Sequence, residues 1–177
     1  MARGLPATKS VTLHFSRPSY LNLASWAVRV IERRAYSHAC IEIVDPASRT
    51  PLIFQVTGSG ASFMYKPVFL EHNKIVESYE IKTSSTGFHS IWTYVLCRMG
   101  SDYSYTALLS IFLRKLFAVR SWFQDGDKTN ICSEMAVRIC ALAGLPMPED
   151  VEHMTPSDLN KYITNAAAHS YAVRRTK

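Results

Sequence analysis

The stretch YSHACIEIV, residues 36–44, is the part of the sequence that decides the fold. Its apolar residues Ala39, Ile41 and Ile43 alternate with more polar neighbours, a period of two that is typical of a half-buried β-strand. Because successive side chains of a strand point to opposite faces, this pattern places the side chain of His38 off the apolar face. An imidazole at the start of a strand and outside the core is available for chemistry.

Segments on both sides of this stretch predict further strands and one helix. The helix is predicted between residues 20 and 34, where the apolar period changes from two to that of a helix. The additional strands are predicted at residues 10–16, 52–57, 63–68 and 75–82. The resulting sheet is antiparallel and has about five strands.

The second half of the chain has the periodicity of helices. Apolar residues recur at helical spacing from Phe88 onward, with a break at the GSD of residues 100–102. A helix predicted at residues 131–142 ends at Gly144, and a last, short helix begins at residues 155–158. A strand, a helix, a sheet and then several helices is the order of an α+β fold.

Length and composition indicate one domain spanning residues 1–177, with flexible tails at 1–9 and 165–177. The chain is 47% apolar and 19% charged, which is the balance of a globular protein rather than of a disordered one. Its formal net charge is +6, and Arg174 and Arg175 contribute to that excess from the predicted tail. Net charge alone does not predict a specific nucleic-acid partner.

The sequence carries no sign of export, of a membrane span or of a cofactor. The N-terminus lacks the apolar segment of a secretory signal, and the most apolar stretch, residues 105–119, is short and contains Arg114 and Lys115. The four cysteines have neither zinc-site spacing nor the density of a disulfide scaffold, which predicts free thiols and no metal. We therefore expect a protein of the cytoplasm or of a virus particle.

Cys132 is the candidate nucleophile. Thr129 or Asn130 can cap the following helix, which places Cys132 in the first turn, where unpaired N–H groups and the helix dipole favour a thiolate. The same N–H groups can hold an oxyanion. Cys40 lies mid-strand and Cys140 two turns further into the helix, so neither has this setting. The alternative is a buried, unreactive thiol, because free cysteines usually pack as small apolar side chains.

Four short segments, in this order along the chain, resemble the permuted branch of the NlpC-type papain-like superfamily, the YiiX-like group. YSHACI at residues 36–41 resembles the histidine strand of that group, and ICSEMA at 131–136 resembles the motif that opens its nucleophile helix. GSDYSY at 100–105 and TPSDL at 155–159 resemble two further segments of the group. The resemblance extends from residue 12 to residue 159.

The resemblance implies a circularly permuted papain-like fold, in which the antiparallel sheet packs against helices that include the nucleophile helix. It also implies that His38 takes the thiol proton of Cys132, which then attacks a carbonyl to form a thioester. The group often has a Glu on the strand after the histidine strand, whereas this sequence has Gln55 at the matching place. Gln55 is the candidate for orienting the imidazole, and Glu42, on the His38 face of its strand, is the rival. A surface imidazole without a catalytic role is the alternative for His38.

The function implied is that of a cysteine-dependent amidase or peptidase acting on a peptide-like substrate, with peptidoglycan as a candidate and a phage origin as a hypothesis. The first alternative is a lipid acyltransferase or thioesterase of the same superfamily. The second is a non-catalytic binding or structural protein, such as a virion component, and the amide of Gln55 in place of a carboxylate favours it. The candidate substrate-binding residues are Tyr36, Tyr103 and Ser133.

Overall fold

One antiparallel sheet of six strands organises the computed structural model, which describes residues 9–101, 132–148, 154–169 and 173–176. Across the sheet the strands lie in the order β4-β3-β2-β1-β5-β6. The strands are β1 (Lys9–Pro18), β2 (His38–Val44), β3 (Pro51–Thr57), β4 (Gly60–Tyr65), β5 (Asn73–Thr83) and β6 (Val173–Thr176). Residues 38–44 of the stretch YSHACIEIV therefore form an interior strand, β2, between β1 and β3.

The described residues also form five helices. They are α1 (Leu23–Glu32), α2 (Lys66–His72), α3 (Ser85–Arg98), α4 (Cys132–Leu142) and α5 (Pro156–His169). Three of the helices begin at polar side chains that accept a backbone N–H: Asn22 caps α1, Ser84 caps α3 and Thr155 caps α5. No helix in the described part of the chain has both the length and the apolarity that a bilayer span requires.

The main core lies between one face of the sheet and the helices α3, α4 and α5. Strand residues such as Leu13 and Ile41 are fully buried there against Ile91 of α3, Ile139 of α4 and others. Burying an aliphatic side chain of this size contributes about 1.5–3 kcal/mol. A second, smaller cluster lies on the opposite face, and its buried members are Cys40, Ile53 and Phe69. Both faces of β2 thus pack against other residues, and this packing holds the strand that begins at His38 in place.

The structure confirms the α+β class, and it differs from the expected tail at residues 165–177. The helix α5 continues to His169, and Val173–Thr176 pairs with β5 as a sixth strand. Within that strand Val173 is buried, while the guanidinium of Arg175 lies 3.3 Å from the Glu77 carboxylate. The arginines of the stretch VRRT concealed its strand pattern, because both remain exposed on the sheet surface and leave Val173 as its buried apolar residue.

The predicted strand at residues 63–68 is also wrong in its second half. The strand β4 stops at Tyr65, and α2 begins at Lys66 with a proline in its first turn. Pro67 has no N–H to donate to a strand partner, and its fixed φ suits the start of a helix. The helical pattern predicted between residue 102 and the helix at 131–142 lies outside the described residues.

A close approach between α3 and the end of α4 predicts that Gly87→Ala destabilises the fold. A methyl group at this position would collide with the side-chain oxygen of Thr83 and come within 3.0 Å of the Leu142 carbonyl oxygen. We expect a loss of about 1–3 kcal/mol of unfolding free energy, measured by urea denaturation. Thr86→Ala, at the exposed neighbouring position, is the matched control. Equal midpoints for the two variants would contradict the prediction.

Candidate active site

Cys132 is the first residue of α4 and keeps part of its surface exposed. The residues that follow it, Ser133, Met135 and Ala136, are buried and fix the start of the helix against the sheet. The N–H groups of a first helical turn have no partner within the helix, and the dipole places partial positive charge there. A sulfur at this position is therefore close to groups that stabilise an anion.

His38 is the first residue of β2, where hydrogen bonds hold the incoming chain. The N–H of Ser37 donates to the Ser16 carbonyl at 3.0 Å, and the Ser37 hydroxyl lies 2.6 Å from that of Ser25 in α1. The ring of Tyr36 packs on Phe15 with centroids 5.0 Å apart. The imidazole is therefore presented from a segment anchored to both β1 and α1.

The start of α4 lies against the beginning of β2. Cys132 lines a small cavity of about 10 Å³ together with Ala39, Cys40 and Gln55, the residues that follow His38 on its strand and on the adjacent one. A cavity of that size holds about one water molecule. The thiol and the imidazole, far apart in the sequence, are thereby brought into one site.

The environment of Cys132 favours its thiolate. Burial of the sulfur opposes ionisation, but the hydrogen bond and charge of His38 outweigh it and lower the pKa of the thiol. The backbone N–H groups of Ala39 and Ser133 lower this pKa further. In the same helix, burial alone raises the pKa of the Cys140 thiol to about 12. The groups that surround each sulfur, rather than a place in α4, therefore distinguish Cys132 from Cys140.

The environment of His38 favours its protonated form. Burial opposes the charge, but the Cys132 thiolate and hydrogen bonding to Cys132 and Gln55 raise the pKa of the imidazole. Its Nε2 atom is buried and makes no hydrogen bond of good geometry within the described residues. The Nε2 nitrogen is thus not engaged in a structural hydrogen bond. A lowered thiol pKa beside a raised imidazole pKa favours the thiolate–imidazolium form of the pair.

Of the two rivals, Gln55 is the one whose side chain raises the pKa of the His38 imidazole, whereas Glu42 contacts His14 and Lys66. The buried Gln55 side chain raises the pKa of His38 by hydrogen bonding, which requires the amide oxygen as acceptor, because only an acceptor stabilises the protonated ring. The amide nitrogen of Gln55, Nε2, lies 3.9 Å from the Met64 sulfur. An amide accepts the imidazole N–H as a carboxylate would, with less stabilisation of the charge.

The carboxylate of Glu42 belongs to a separate polar cluster on the same face of the sheet. It lies 2.7 Å from Nε2 of His14 and 2.8 Å from Nζ of Lys66, and Nδ1 of His14 lies 2.8 Å from the Ser78 hydroxyl. Burial opposes ionisation of Glu42, but these two partners outweigh it and lower the pKa of the carboxyl. Sequence reasoning missed His14 as its partner. The available signal was that His14 occupies a polar-face position of β1, directly opposite Cys40.

Comparison with known proteins gives one informative result. No family model matches the chain, and no curated protein matches it. Among solved structures, the crystal structure of metalloprotein yiiX from Escherichia coli O157:H7, DUF1105, is similar over 97% of this chain and 97% of that chain. The TM-score is 0.57 and the sequence identity is 14%. The chain has a YiiX-like fold.

The YiiX-like fold raises the question of a metal, since that neighbour is called a metalloprotein. In residues 9–101, 132–148, 154–169 and 173–176, no group of three His, Cys, Asp or Glu side chains is placed to hold a metal ion. Beside Cys132 and His38 lies the uncharged amide of Gln55. Beside Glu42 lie one imidazole, that of His14, and the ammonium group of Lys66. These donor sets do not fit a metal ion.

The structure places two of the three predicted substrate-binding residues inside the YiiX-like fold rather than at its surface. Tyr36 is 2% exposed, and burial raises the pKa of its hydroxyl. Ser133 is 1% exposed, and its hydroxyl donates to the Met154 carbonyl. Both placements favour a part in packing, although contact with a substrate stays untested for each. Tyr103 lies outside the described residues.

The assignment of Gln55 predicts a measurable loss of thiol reactivity. Gln55→Ala is expected to slow alkylation of Cys132 at pH 6 by about tenfold, the equivalent of one pKa unit, because the imidazolium loses its acceptor. Gln55→Glu is expected to keep or raise the rate, since a carboxylate stabilises the charged ring better. The measurement is iodoacetamide labelling followed by mass spectrometry of the Cys132 peptide.

Glu42→Gln is the control for this series. It weakens the interactions with His14 and Lys66 and is expected to lower thermal stability, yet to change the Cys132 labelling rate by less than about twofold, because well-separated sites act independently. A tenfold loss in Glu42→Gln with none in Gln55→Ala would reverse the assignment.

Proposed function

We propose that this protein is a cysteine-dependent hydrolase of amide or peptide bonds with a circularly permuted papain-like arrangement. Cys132 is the nucleophile, His38 is the base and Gln55 orients the imidazole. The observation that carries the proposal is the meeting of a thiol at the first residue of α4 with an imidazole at the first residue of β2. The order of the elements, with the histidine strand before the cysteine helix, supports the permuted arrangement.

The reaction follows from these groups. The Cys132 thiolate attacks the substrate carbonyl carbon, and the C=O electron pair moves to oxygen. The N–H groups of Ser133 and Ala39, which already stabilise the thiolate, are suitably close to hold that oxyanion. As the tetrahedral intermediate collapses, the C–N bond breaks, His38 gives its proton to the leaving amine, and a thioester remains on Cys132.

The second half of the cycle releases the acid. His38, now neutral, takes a proton from water, and the resulting hydroxide attacks the thioester carbonyl. The C–S bond breaks, the carboxylic acid leaves, and the thiolate–imidazolium pair is restored. Cys132 is only partly buried, so a substrate can approach the start of α4 from solvent.

Trapping of the thioester tests the proposal. Incubation with p-nitrophenyl acetate should add one acetyl mass to the protein, located on Cys132 by tandem mass spectrometry and removed by neutral hydroxylamine. Purified peptidoglycan is the first natural substrate to assay, since cell-wall peptides are the candidate substrate. Acetylation spread over lysines, with none on Cys132, would refute the nucleophile.

A lipid acyltransferase or thioesterase is the second candidate function. The exposed apolar residues near α1, with arginines beside them, favour it because such a surface suits contact with lipid. Incubation with phospholipid vesicles would then leave a fatty acyl mass on Cys132. A peptide-derived adduct without a fatty acyl adduct selects the amidase.

A further inference from the structure

Exposed apolar side chains concentrate at one place on the surface. Five of the eleven large hydrophobic residues that are exposed in the described part of the chain fall within residues 20–30. They are Tyr20 (62%), Leu21 (80%), Leu23 (76%), Trp26 (51%) and Val30 (53%). Scattered exposed apolar residues are normal on soluble proteins, whereas a contiguous group marks a site of interaction.

Three of these residues form a stripe along α1. Leu23, Trp26 and Val30 have the spacing i, i+3, i+7, which places them within about 60° of one another at about 100° per residue. Val28 and Ile31 occupy the other side of the helix and are partly buried. The apolar residues of α1 thus serve two surfaces, one that faces the protein and one that faces outward. We call the outward set Leu23, Trp26 and Val30 the α1 stripe.

Positive charge borders the α1 stripe on one side. Arg29 and Arg33 follow Trp26 by three and seven residues, so they lie next to it around the helix. Residues 17–35 contain four arginines and a single acidic residue, Glu32. The Glu32 carboxylate faces away from the stripe and accepts a hydrogen bond from the Thr155 hydroxyl at 2.9 Å.

The helix that carries the α1 stripe is firmly attached to the rest of the molecule. The Asn22 side chain caps its start, and the Ser25 hydroxyl bonds that of Ser37 at 2.6 Å. At its end, Nε of Arg34 donates to the Ser157 hydroxyl at 3.2 Å. These contacts hold one side of α1 in place while the stripe remains exposed on the other.

We propose that the α1 stripe binds the surface of an anionic lipid bilayer, with α1 lying in the plane of the interface. Aliphatic and tryptophan side chains enter the boundary between headgroups and acyl chains, and the adjacent arginines meet lipid phosphates. A second copy of this chain fits less well, because a two-fold contact would bring Arg29 and Arg33 of both copies together with no acidic residue on the stripe to pair with them. This inference is independent of the chemistry of Cys132.

Flotation with lipid vesicles tests the proposal. The full chain at low ionic strength should float with vesicles of equimolar phosphatidylcholine and phosphatidylglycerol, and much less with phosphatidylcholine alone. Leu23→Ser with Trp26→Ser should weaken binding at least about tenfold. Arg29→Gln with Arg33→Gln should weaken it about 30-fold, at about 1 kcal/mol for each arginine.

A matched control uses apolar residues that are exposed elsewhere. Leu70→Ser with Leu96→Ser removes side chains of 45% and 53% exposure and should leave flotation unchanged. Circular dichroism confirms that each variant is folded. Failure of the wild-type chain to bind anionic vesicles, or unchanged binding by the Leu23 and Trp26 variant, would overturn the proposal. So would a wild-type dimer that the same variant dissociates, since the occupant would then be a second copy.

Discussion

Cys132→Ala is expected to lower hydrolysis of any substrate that acylates the wild-type protein by at least about 1,000-fold, because removal of a nucleophile leaves only binding and oxyanion stabilisation. The Cys132 thiol is the group proposed to form the covalent bond, and no other thiol of the described residues shares its setting. Cys40 and Cys140 are buried, and burial raises the pKa of each thiol. The measurement is the steady-state rate with p-nitrophenyl acetate and with purified peptidoglycan.

Cys97→Ala is the matched control for this experiment. Cys97 is exposed on α3, so its removal tests for nonspecific thiol chemistry without disturbing the core. Its variant should retain wild-type turnover and acylation. If Cys132→Ala keeps more than a tenth of the wild-type rate while folded, the thioester mechanism is wrong.

At pH 6, Cys132 is expected to react with iodoacetamide about 30- to 100-fold faster than Cys97. An ordinary thiol is roughly 0.3% ionised at this pH. A thiol whose pKa is lowered is far more ionised, although its lower basicity makes the thiolate somewhat less nucleophilic. The difference is read from tryptic peptides, with Cys97 serving as the reference in each sample.

His38→Ala should remove this advantage. Without the imidazolium, burial of the Cys132 sulfur is opposed only by the N–H groups of Ala39 and Ser133, so the pKa of the thiol rises. The wild-type labelling rate should fall less steeply from pH 8 to pH 6 than the His38→Ala rate, which should fall about tenfold per pH unit. His38→Asn, which keeps a polar side chain without a charge, should behave like His38→Ala.

Equal labelling of Cys132 and Cys97 at pH 6 would carry a different conclusion. The protein would then keep the YiiX-like fold without an activated thiol, as expected of a binding or structural protein. Slow acylation together with fast alkylation would instead point to a reactive thiol whose natural substrate is not an ester. The two measurements thus separate the nucleophile from the reaction that it serves.

Local sequence patterns were sufficient for the α+β class and for the setting of the two reactive residues. Alternation of Ala39, Ile41 and Ile43 fixed β2 and the position of His38 at its start. The interval between the predicted cap, Thr129 or Asn130, and Gly144 predicted α4, with Cys132 in its first turn. These features depend on periods of two or 3.6 residues, which a single strand or helix imposes on its own sequence.

Such local patterns could not predict contacts between segments that are far apart in the sequence. The sequence left Gln55 and Glu42 as rivals, because both lie on polar positions of adjacent strands. Only the register of β1 against β2, which sets His14 near Glu42, engages that carboxylate elsewhere and leaves Gln55 to act on the ring. The stretch VRRT likewise has too few apolar residues to predict a strand. It forms β6 because it pairs with the edge of β5.

The amino-acid sequence by itself thus determined which residues begin β2 and α4, since capping and side-chain alternation act over a few neighbouring residues. The tertiary structure alone decided that these two beginnings meet, that an amide and not a carboxylate acts on the pKa of the imidazole, and that one face of α1 stays uncovered. Each of those outcomes depends on strand register and helix packing. Such packing is determined by the burial of the whole core and cannot be deduced from any single segment.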